Sequence, residues 1–113
     1  MKILQLVPVI LFPLLILNGC SKEPTQVRVY NLSAEKIIIT IKPATGTIRT
    51  IEAVAGETTQ YIEIDPTNGG TISGTRTGSG KNPSDINYYT LAESNYGITF
   101  SLGDNPTLTW HKE

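Results

Sequence analysis

Hydrophobic residues follow two different patterns along the chain. From Ile3 to Leu17 they run almost without interruption, whereas from Gln26 onward they alternate with polar residues over short stretches. Alternation with a period of two is typical of a β-strand with one buried face, and no segment shows the period of an amphipathic helix. The pattern therefore predicts an apolar leader followed by an all-β domain.

The alternating part predicts seven or eight short strands. Segments rich in Gly, Pro, Asn and Asp separate them, and these residues favour tight turns. Strands separated by turns roughly every 10 residues are typical of a small antiparallel β-sandwich or barrel. The predicted strands are Gln26–Tyr30, Lys36–Lys42, Thr47–Glu52, Thr59–Ile64, Thr71–Thr77, Asn87–Leu91, Tyr96–Leu102 and Thr107–Trp110.

The apolar side of each alternation predicts the core, because successive side chains of a strand point to opposite faces. Burial of one such side chain contributes about 1.5–3 kcal/mol, whereas a surface ion pair contributes about 0–1 kcal/mol. We therefore expect packing to stabilise the domain. The predicted core residues are Val27, Val29, Ile37, Ile39, Ile41, Ile62, Ile64, Ile98, Phe100, Leu102 and Trp110.

Three segments carry a resemblance to known domains. The stretch VRVYN, the isoleucine-rich strand after it and the stretch AGETTQYIEI are similar to small immunoglobulin-like or transthyretin-like sandwich domains of bacterial cell-surface lipoproteins. The similarity covers most of residues 26–102 as a pattern only. It implies an immunoglobulin-like β-sandwich as the fold and no particular activity.

The leader is organised like an export signal. Lys2 supplies a positive charge, and the apolar run from Ile3 to Leu17 follows it. A helix that spans a bilayer needs about 20 apolar residues, and Pro8 and Pro13 would disturb such a helix. We therefore expect a signal peptide rather than a permanent transmembrane helix.

The leader ends in Leu17-Asn18-Gly19-Cys20, which contains the one cysteine of the chain. This stretch resembles the lipobox of bacterial lipoproteins, in which a leucine stands three residues before an invariant cysteine and a small residue directly before it. Asn18 departs from the residues that are more common at its position. The alternative is an ordinary secretory signal, but a single thiol in an exported protein would have no disulfide partner.

The resemblance implies cleavage between Gly19 and Cys20, a diacylglyceryl group on the sulfur of Cys20 and a fatty acid such as palmitate on the new amino terminus. Ser21, in place of aspartate, implies sorting to the outer membrane, facing the periplasm or exposed on the cell surface. The predicted organisation is a signal peptide at 1–19, a lipidated cysteine with its tether at 20–25 and a β-sandwich at 26–113. The tether reaches roughly 15 Å at most.

Charge and composition argue against two functional classes. Nine basic and ten acidic residues are spread along the 113-residue chain, so its formal net charge is −1. This distribution provides no basic stripe for a phosphate backbone, and nucleic-acid binding is therefore not expected. Metal chemistry is not expected either, because His111 is the one histidine and a fixed zinc site needs three or four ligands. We expect His111 to be a frayed, solvated residue.

Catalytic signatures are also lacking. The pair Gly80-Lys81 is not part of a phosphate-binding Walker A loop, because Thr75 and Asn82 stand where that loop needs a glycine and a hydroxyl. A hydrolase would need two carboxylates that converge in a cleft. The acidic residues fall mostly on turns and outward strand positions, where we expect solvated carboxylates. They include Glu52, Glu57, Glu63, Asp65, Asp85, Glu93 and Asp104.

The aromatic residues could line a binding face or form part of the core. Tyr61, Tyr96 and Trp110 fit either position, whereas adjacent Tyr88 and Tyr89 must point to opposite faces of a strand, so one of them is expected to be exposed.

The sequence favours a non-enzymatic envelope lipoprotein without a cofactor, in a structural or protein-binding role. Its expected partners are the membrane, through the lipid anchor, and an envelope protein; the oligomeric state stays open. The alternative is a cell-surface adhesin or carbohydrate-binding module that uses the loop region Gly69–Asp85. The candidate partner-binding residues are Tyr88, Tyr89 and Lys81.

Overall fold

Two four-stranded β-sheets pack face to face in the computed structural model, which describes residues 24–91 and 94–113. The all-β prediction is confirmed. The signal peptide, Gly19 and Cys20 lie outside the described residues, which contain no helix able to cross a membrane. The strands are β1 (Gln26–Asn31), β2 (Ile37–Pro43), β3 (Arg49–Ala53), β4 (Ile62–Glu63), β5 (Gly70–Arg76), β6 (Ile86–Tyr88), β7 (Asn95–Ser101) and β8 (Thr107–Lys112).

The first sheet has the order β4-β1-β7-β8 and contains one parallel pair. β1 pairs antiparallel with the short β4 and parallel with β7 over its whole length, from Gln26 opposite Asn95 to Asn31 opposite Phe100. The expectation of a fully antiparallel sandwich is wrong at this pair. Parallel neighbours need a long crossover connection, and here the second sheet supplies it, because the chain passes through β2, β3, β5 and β6 before β7.

The second sheet has the order β3-β2-β5-β6, and all its pairs are antiparallel. β2 lies in its centre, with Ile39 opposite Ile51 on one side and opposite Gly74 on the other. The buried isoleucines of β2, Ile37, Ile39 and Ile41, face the first sheet as a continuous row. This row is the middle of the core.

The chain enters the sandwich at one end, which we call the tether end. There the Ile64 N–H donates to the carbonyl of the buried Thr25 at 2.9 Å, so the packed structure begins one residue before the predicted domain boundary. β1, β3, β5 and β7 begin at this end, and β2, β4, β6 and β8 finish there. The opposite end, with the loops that follow β1, β3, β5 and β7, is called the far end.

Eight of the eleven predicted core residues are buried, and the other three, Ile62, Leu102 and Trp110, are partly buried against the core. The period-two interpretation of the strands is therefore confirmed. The list of predicted core residues did not include six further residues that are buried. These residues are Ile51, Ala53, Ile72, Tyr88, Tyr96 and Leu108.

All eight predicted strands differ from the observed strands by at least one residue, and three of these differences matter most for the fold. The strand expected at Thr59–Ile64 is reduced to two residues, with an isolated bridge between Thr58 and Tyr30. β6 starts and ends earlier than predicted. β8 continues to Lys112, so His111 lies in a strand opposite Gly97 rather than in a frayed end.

A buried asparagine fixes the far end. Asn31 is 1% exposed, and its Nδ2 lies within 3.0 Å of the carbonyl oxygens of Glu35, Ala53 and Val54. Its Oδ1 accepts hydrogen bonds from the backbone N–H and the hydroxyl of Ser33. Because buried polar groups need partners, this one side chain holds the loop after β1 against the end of β3.

Tyr88 and Tyr96 provide a matched test of the core. Both are buried and both contact the ring of Trp110, with centroids 4.8 and 4.4 Å away. The Tyr96 hydroxyl accepts a hydrogen bond from the Leu91 N–H at 2.5 Å, whereas the buried Tyr88 hydroxyl has no partner among the described residues.

We predict that Tyr96→Phe lowers the free energy of unfolding by about 1 kcal/mol and that Tyr88→Phe leaves it unchanged or raises it by up to about 1 kcal/mol. The reason is that only the first substitution removes a hydrogen bond, while the second removes an unsatisfied buried hydroxyl. Urea denaturation of the two variants measures both values. Equal losses in the two variants would contradict the structure.

Candidate functional site

The outer face of the first sheet carries a group of charged and aromatic side chains from three segments. β1 contributes Arg28 and Tyr30, which alternate with the buried Val27 and Val29. Residue Tyr61 stands directly before β4, and His111 lies on β8. Because Arg28 is opposite Gly97 and Gly97 is opposite His111, the strand pairing brings these residues into one row.

Gly97 makes this close approach possible. A Cβ atom at this position would lie 2.5 Å from Nε2 of His111 and 2.7 Å from a ring carbon of Tyr30. The rings of Tyr30 and His111 stack above the glycine, with centroids 5.7 Å apart. Any side chain at position 97 would therefore separate the residues of this row.

The side chains of Arg28, Tyr30, Tyr61 and His111 surround the carboxylate of Glu113, and we call them the carboxylate cradle. Nε of Arg28 donates to Oε1 of Glu113 at 3.0 Å, and the hydroxyls of Tyr30 and Tyr61 donate to the same carboxylate. Nε2 of His111 lies 3.3 Å from Oε2. Four groups thus converge on one anion.

Two aromatic rings orient the guanidinium of the cradle. The guanidinium carbon of Arg28 lies 4.5 Å from the ring centroid of Tyr61 and 5.1 Å from that of Tyr30. Cation–π attraction of this kind favours one arginine conformer, since the ring faces are electron-rich. The cradle therefore combines a fixed cation with two phenolic donors.

The cradle stabilises the ionised form of Glu113. Partial desolvation opposes ionisation, but the hydrogen bonds from Tyr30, Tyr61 and His111 and the charge of Arg28 outweigh it and lower the pKa of Glu113 to about 2. The hydrogen bond to Glu113 in turn raises the pKa of Tyr30 and of Tyr61. The carboxylate is therefore an anion and both phenols are protonated at neutral pH.

The three predicted partner-binding residues do not form one surface. Tyr88 is 3% exposed and belongs to the core, whereas its neighbour Tyr89 is 60% exposed at the tether end. Lys81 is exposed in the loop after β5, at the far end. The predicted cleavage and lipid-attachment residues, Gly19 and Cys20, are outside the described part of the chain.

Lys81 lies beside a far-end groove of about 430 Å³ between the loops that follow β5 and β7. An ion pair holds the first of these loops, because Nε and Nη2 of Arg76 contact the Glu35 carboxylate at 3.0 and 2.9 Å and Nη1 donates to the Lys81 carbonyl. The Arg76 hydrogen bonds lower the pKa of Glu35. The groove is lined by Lys81, Asn82, Ser84, Ile86, Asn105, Pro106, Thr107 and Leu108.

The remaining aromatic and acidic residues are dispersed. Tyr96 and Trp110 pack in or against the core, and Tyr61 belongs to the cradle. Within residues 24–91 and 94–113 no three His, Cys, Asp or Glu side chains are grouped as metal ligands would be.

The sequence analysis missed Arg28, Tyr30 and Glu113. Two signals were available in the sequence: Arg28 and Tyr30 alternate on the polar side of β1, and Glu113 follows His111 by two residues. The row that joins them depends on the pairing of β1 with β7, which no local pattern reveals.

Comparison with known proteins adds no relative: no protein-family model matches this chain, and no curated protein is significantly similar to it.

The cradle predicts a specific pH dependence of stability. In the folded protein the pKa of Glu113 is about 2, below its ordinary 4.5, so between these values the unfolded chain binds more protons. The stabilisation is complete above the ordinary pKa and is lost as the pH falls to about 2. We predict that wild type is more stable than Glu113→Gln near neutral pH and that this difference shrinks as the pH falls.

Urea denaturation of both proteins between about pH 6 and pH 2 measures this difference. Glu52→Gln is the control, because the Glu52 carboxylate is 59% exposed and its contact with Lys36 is 3.8 Å long. A difference between wild type and Glu113→Gln that does not change over this range would show that the cradle does not hold the carboxylate.

Proposed function

We propose that this protein is a lipid-anchored lipoprotein of the bacterial envelope and that its β-sandwich binds a protein partner without catalysing a reaction. Cleavage after Gly19 and lipid attachment at Cys20 would fix it to the outer membrane. The support is the lipobox-like stretch Leu17 to Cys20 after an apolar leader. The position of Thr25 agrees with this proposal, since this buried residue stands five residues after Cys20, so at most four residues form the tether.

We further propose a transthyretin-like rather than an immunoglobulin-like sandwich as the finer fold type. Immunoglobulin constant domains place their first, second, fifth and fourth strands in one sheet. Here β1 and β2 belong to different sheets, and the orders are β4-β1-β7-β8 and β3-β2-β5-β6. An even division of eight strands, with β1 between β4 and β7, is similar to the transthyretin arrangement.

One observation carries the partner-binding part of the proposal, namely the contrast between the two outer faces. The first sheet exposes the carboxylate cradle, with arginine, histidine and two tyrosines. The outer face of the second sheet presents threonine and serine, for example Thr40, Thr50 and Ser73, together with Ile38 and Glu52, and its strands place no aromatic ring there. Tyrosine and arginine are enriched in protein interfaces and in their energetic centres, whereas serine is depleted there. The first sheet is therefore the favoured binding face.

We propose a role without catalysis because the chemistry of the cradle does not suit acid–base catalysis. A general acid or base works best when its pKa is near the ambient pH. The Glu113 pKa of about 2 is far below that value, and the cradle residues already contact both oxygens of the carboxylate. The cradle is suited to recognition of charge rather than to proton transfer.

The first part of the experiment concerns the anchor. We expect the wild-type protein to fractionate with outer membranes, and mass spectrometry to find a diacylglyceryl-modified Cys20 as its first residue. Cys20→Ala should abolish the modification and release the protein from the membrane fraction, because lipid chains supply the attachment. An unmodified Cys20 sulfur in the membrane-bound wild type would contradict the proposal.

The second part of the experiment tests whether the outer face of the first sheet binds a protein. A photo-crosslinking residue at Thr109, on the outer face of the first sheet, should form a discrete protein adduct in intact cells, and Arg28→Ala should reduce its yield at least several-fold. Thr75, on the outer face of the second sheet, is the matched control position. Equal adducts at both positions, or none at Thr109, would contradict binding by the first sheet.

Carbohydrate binding is a second candidate function. The far-end groove favours it, because amide and hydroxyl groups of Asn82, Ser84 and Asn105 stand beside the apolar Ile86 and Leu108. Such a mixture suits a ligand that has both hydroxyl groups and an apolar face. In the same experiment, a crosslinker at Asn105 that captures glycan, with none captured from Thr109, would favour this candidate.

A further inference from the structure

Large hydrophobic side chains are exposed at few positions of the described residues, and most of these positions are at one end. Tyr89, Leu91 and Ile48 are 60%, 52% and 56% exposed, and all three lie at the tether end. Leu32 and Val54, 68% and 56% exposed, lie at the far end. A single exposed apolar residue is ordinary on a protein surface, so the informative feature is that three of these five residues share one end.

The three tether-end residues are spread over the width of the sandwich. Ile48 directly precedes β3, and Tyr89 and Leu91 follow β6. β3 and β6 are the two edges of the second sheet, three strand spacings apart, which corresponds to about 14 Å. A flat surface placed against this end could touch both groups at once.

The length of the tether restricts how the domain can stand on a membrane. Only Ser21 to Pro24 separate Cys20 from the buried Thr25, so an extended tether reaches roughly 15 Å. β7 alone has seven residues, and a strand of that length is about 23 Å long. The tether is therefore too short to pass along the sandwich and let the far end face the bilayer.

Charge adds little attraction at this end. Lys42, Arg49 and Lys112 are balanced in part by Glu63 and Asp65. Contact with lipid would therefore depend on the apolar and aromatic side chains, and tyrosine is a residue that favours the boundary between headgroups and acyl chains.

We propose that the tether end is a membrane-contacting surface, in which Ile48, Tyr89 and Leu91 enter the headgroup region of the bilayer that holds the lipidated Cys20. This inference rests on the proposed lipid attachment. In this orientation the strands run roughly perpendicular to the bilayer plane. The outer face of the first sheet is then also perpendicular to the membrane, and the far-end groove is directed away from it.

Single-cysteine labelling tests the orientation. The chain has one cysteine, whose sulfur is blocked in the lipidated protein, so a cysteine introduced elsewhere is the single reactive thiol. The lipidated full-chain product is purified in five variants, Ile48→Cys, Tyr89→Cys, Leu91→Cys, Leu32→Cys and Val54→Cys. Each is labelled with an environment-sensitive fluorophore and reconstituted into phosphatidylethanolamine–phosphatidylglycerol vesicles with headgroup-region spin-labelled lipid.

We expect the spin-labelled lipid to quench the tether-end probes at least threefold more than the probes at Leu32 and Val54. These two positions are the controls, because their exposure is similar and they lie at the other end. Equal quenching at both ends would mean that the domain lies on its side, and quenching at neither end would mean that it stands off the membrane. Either result would overturn the inference.

Mass spectrometry of the same samples separates this inference from the proposed function. Lipidated Cys20 without quenching at the tether end overturns only the membrane-contacting surface. A bare Cys20 sulfur overturns the proposed anchor and the inference together. Far-ultraviolet circular dichroism identifies any variant that has lost its fold. If one tether-end variant is unfolded, quenching at the remaining two tether-end positions tests the inference.

Discussion

The parallel ladder between β1 and β7 is the constraint on which the other features depend. It joins the first strand of the domain to the seventh over six residue pairs, and it places the start of β1 beside the start of β7. The buried sides of both strands, with Val27, Val29 and Ile98, then face the isoleucine row of β2. Because the pairing is non-local, the sandwich closes only after the second sheet has brought the chain back.

The same ladder assigns separate roles to the two sides of β1. Its inward residues complete the core, while Arg28 and Tyr30 meet β8 across Gly97 and form the cradle around Glu113. A slip of one residue would exchange these faces and bury the guanidinium. Core packing therefore fixes the position of the cradle, and the entry of the chain at the start of β1 fixes which end is next to the tether.

Local patterns predicted the fold well and the site poorly. Alternation identified eight strands and a core with Ile37, Ile39 and Phe100, because each alternation depends only on burial of one face. The shortened β4 and the extended β8 depend on edge pairing, which neighbouring residues do not encode. The cradle needs three strands from distant parts of the chain in one register, so local spacing could not show that Arg28 and Glu113 meet. Tyr88 and Tyr89 had equal local signals, and only the packing of Trp110 decides which one is buried.

The register of β1 with β7 and β8 is tested most directly by nuclear magnetic resonance of the protein in solution. The structure predicts cross-strand proton contacts between Arg28 and Gly97 and between Gly97 and His111, together with slowly exchanging amides along β1 and β7. Contacts of Gln26 with Phe100 and of Asn31 with Asn95 would indicate an antiparallel pair instead. With that register Arg28 and His111 would not meet across Gly97, which would contradict the cradle and the proposed binding by the first sheet.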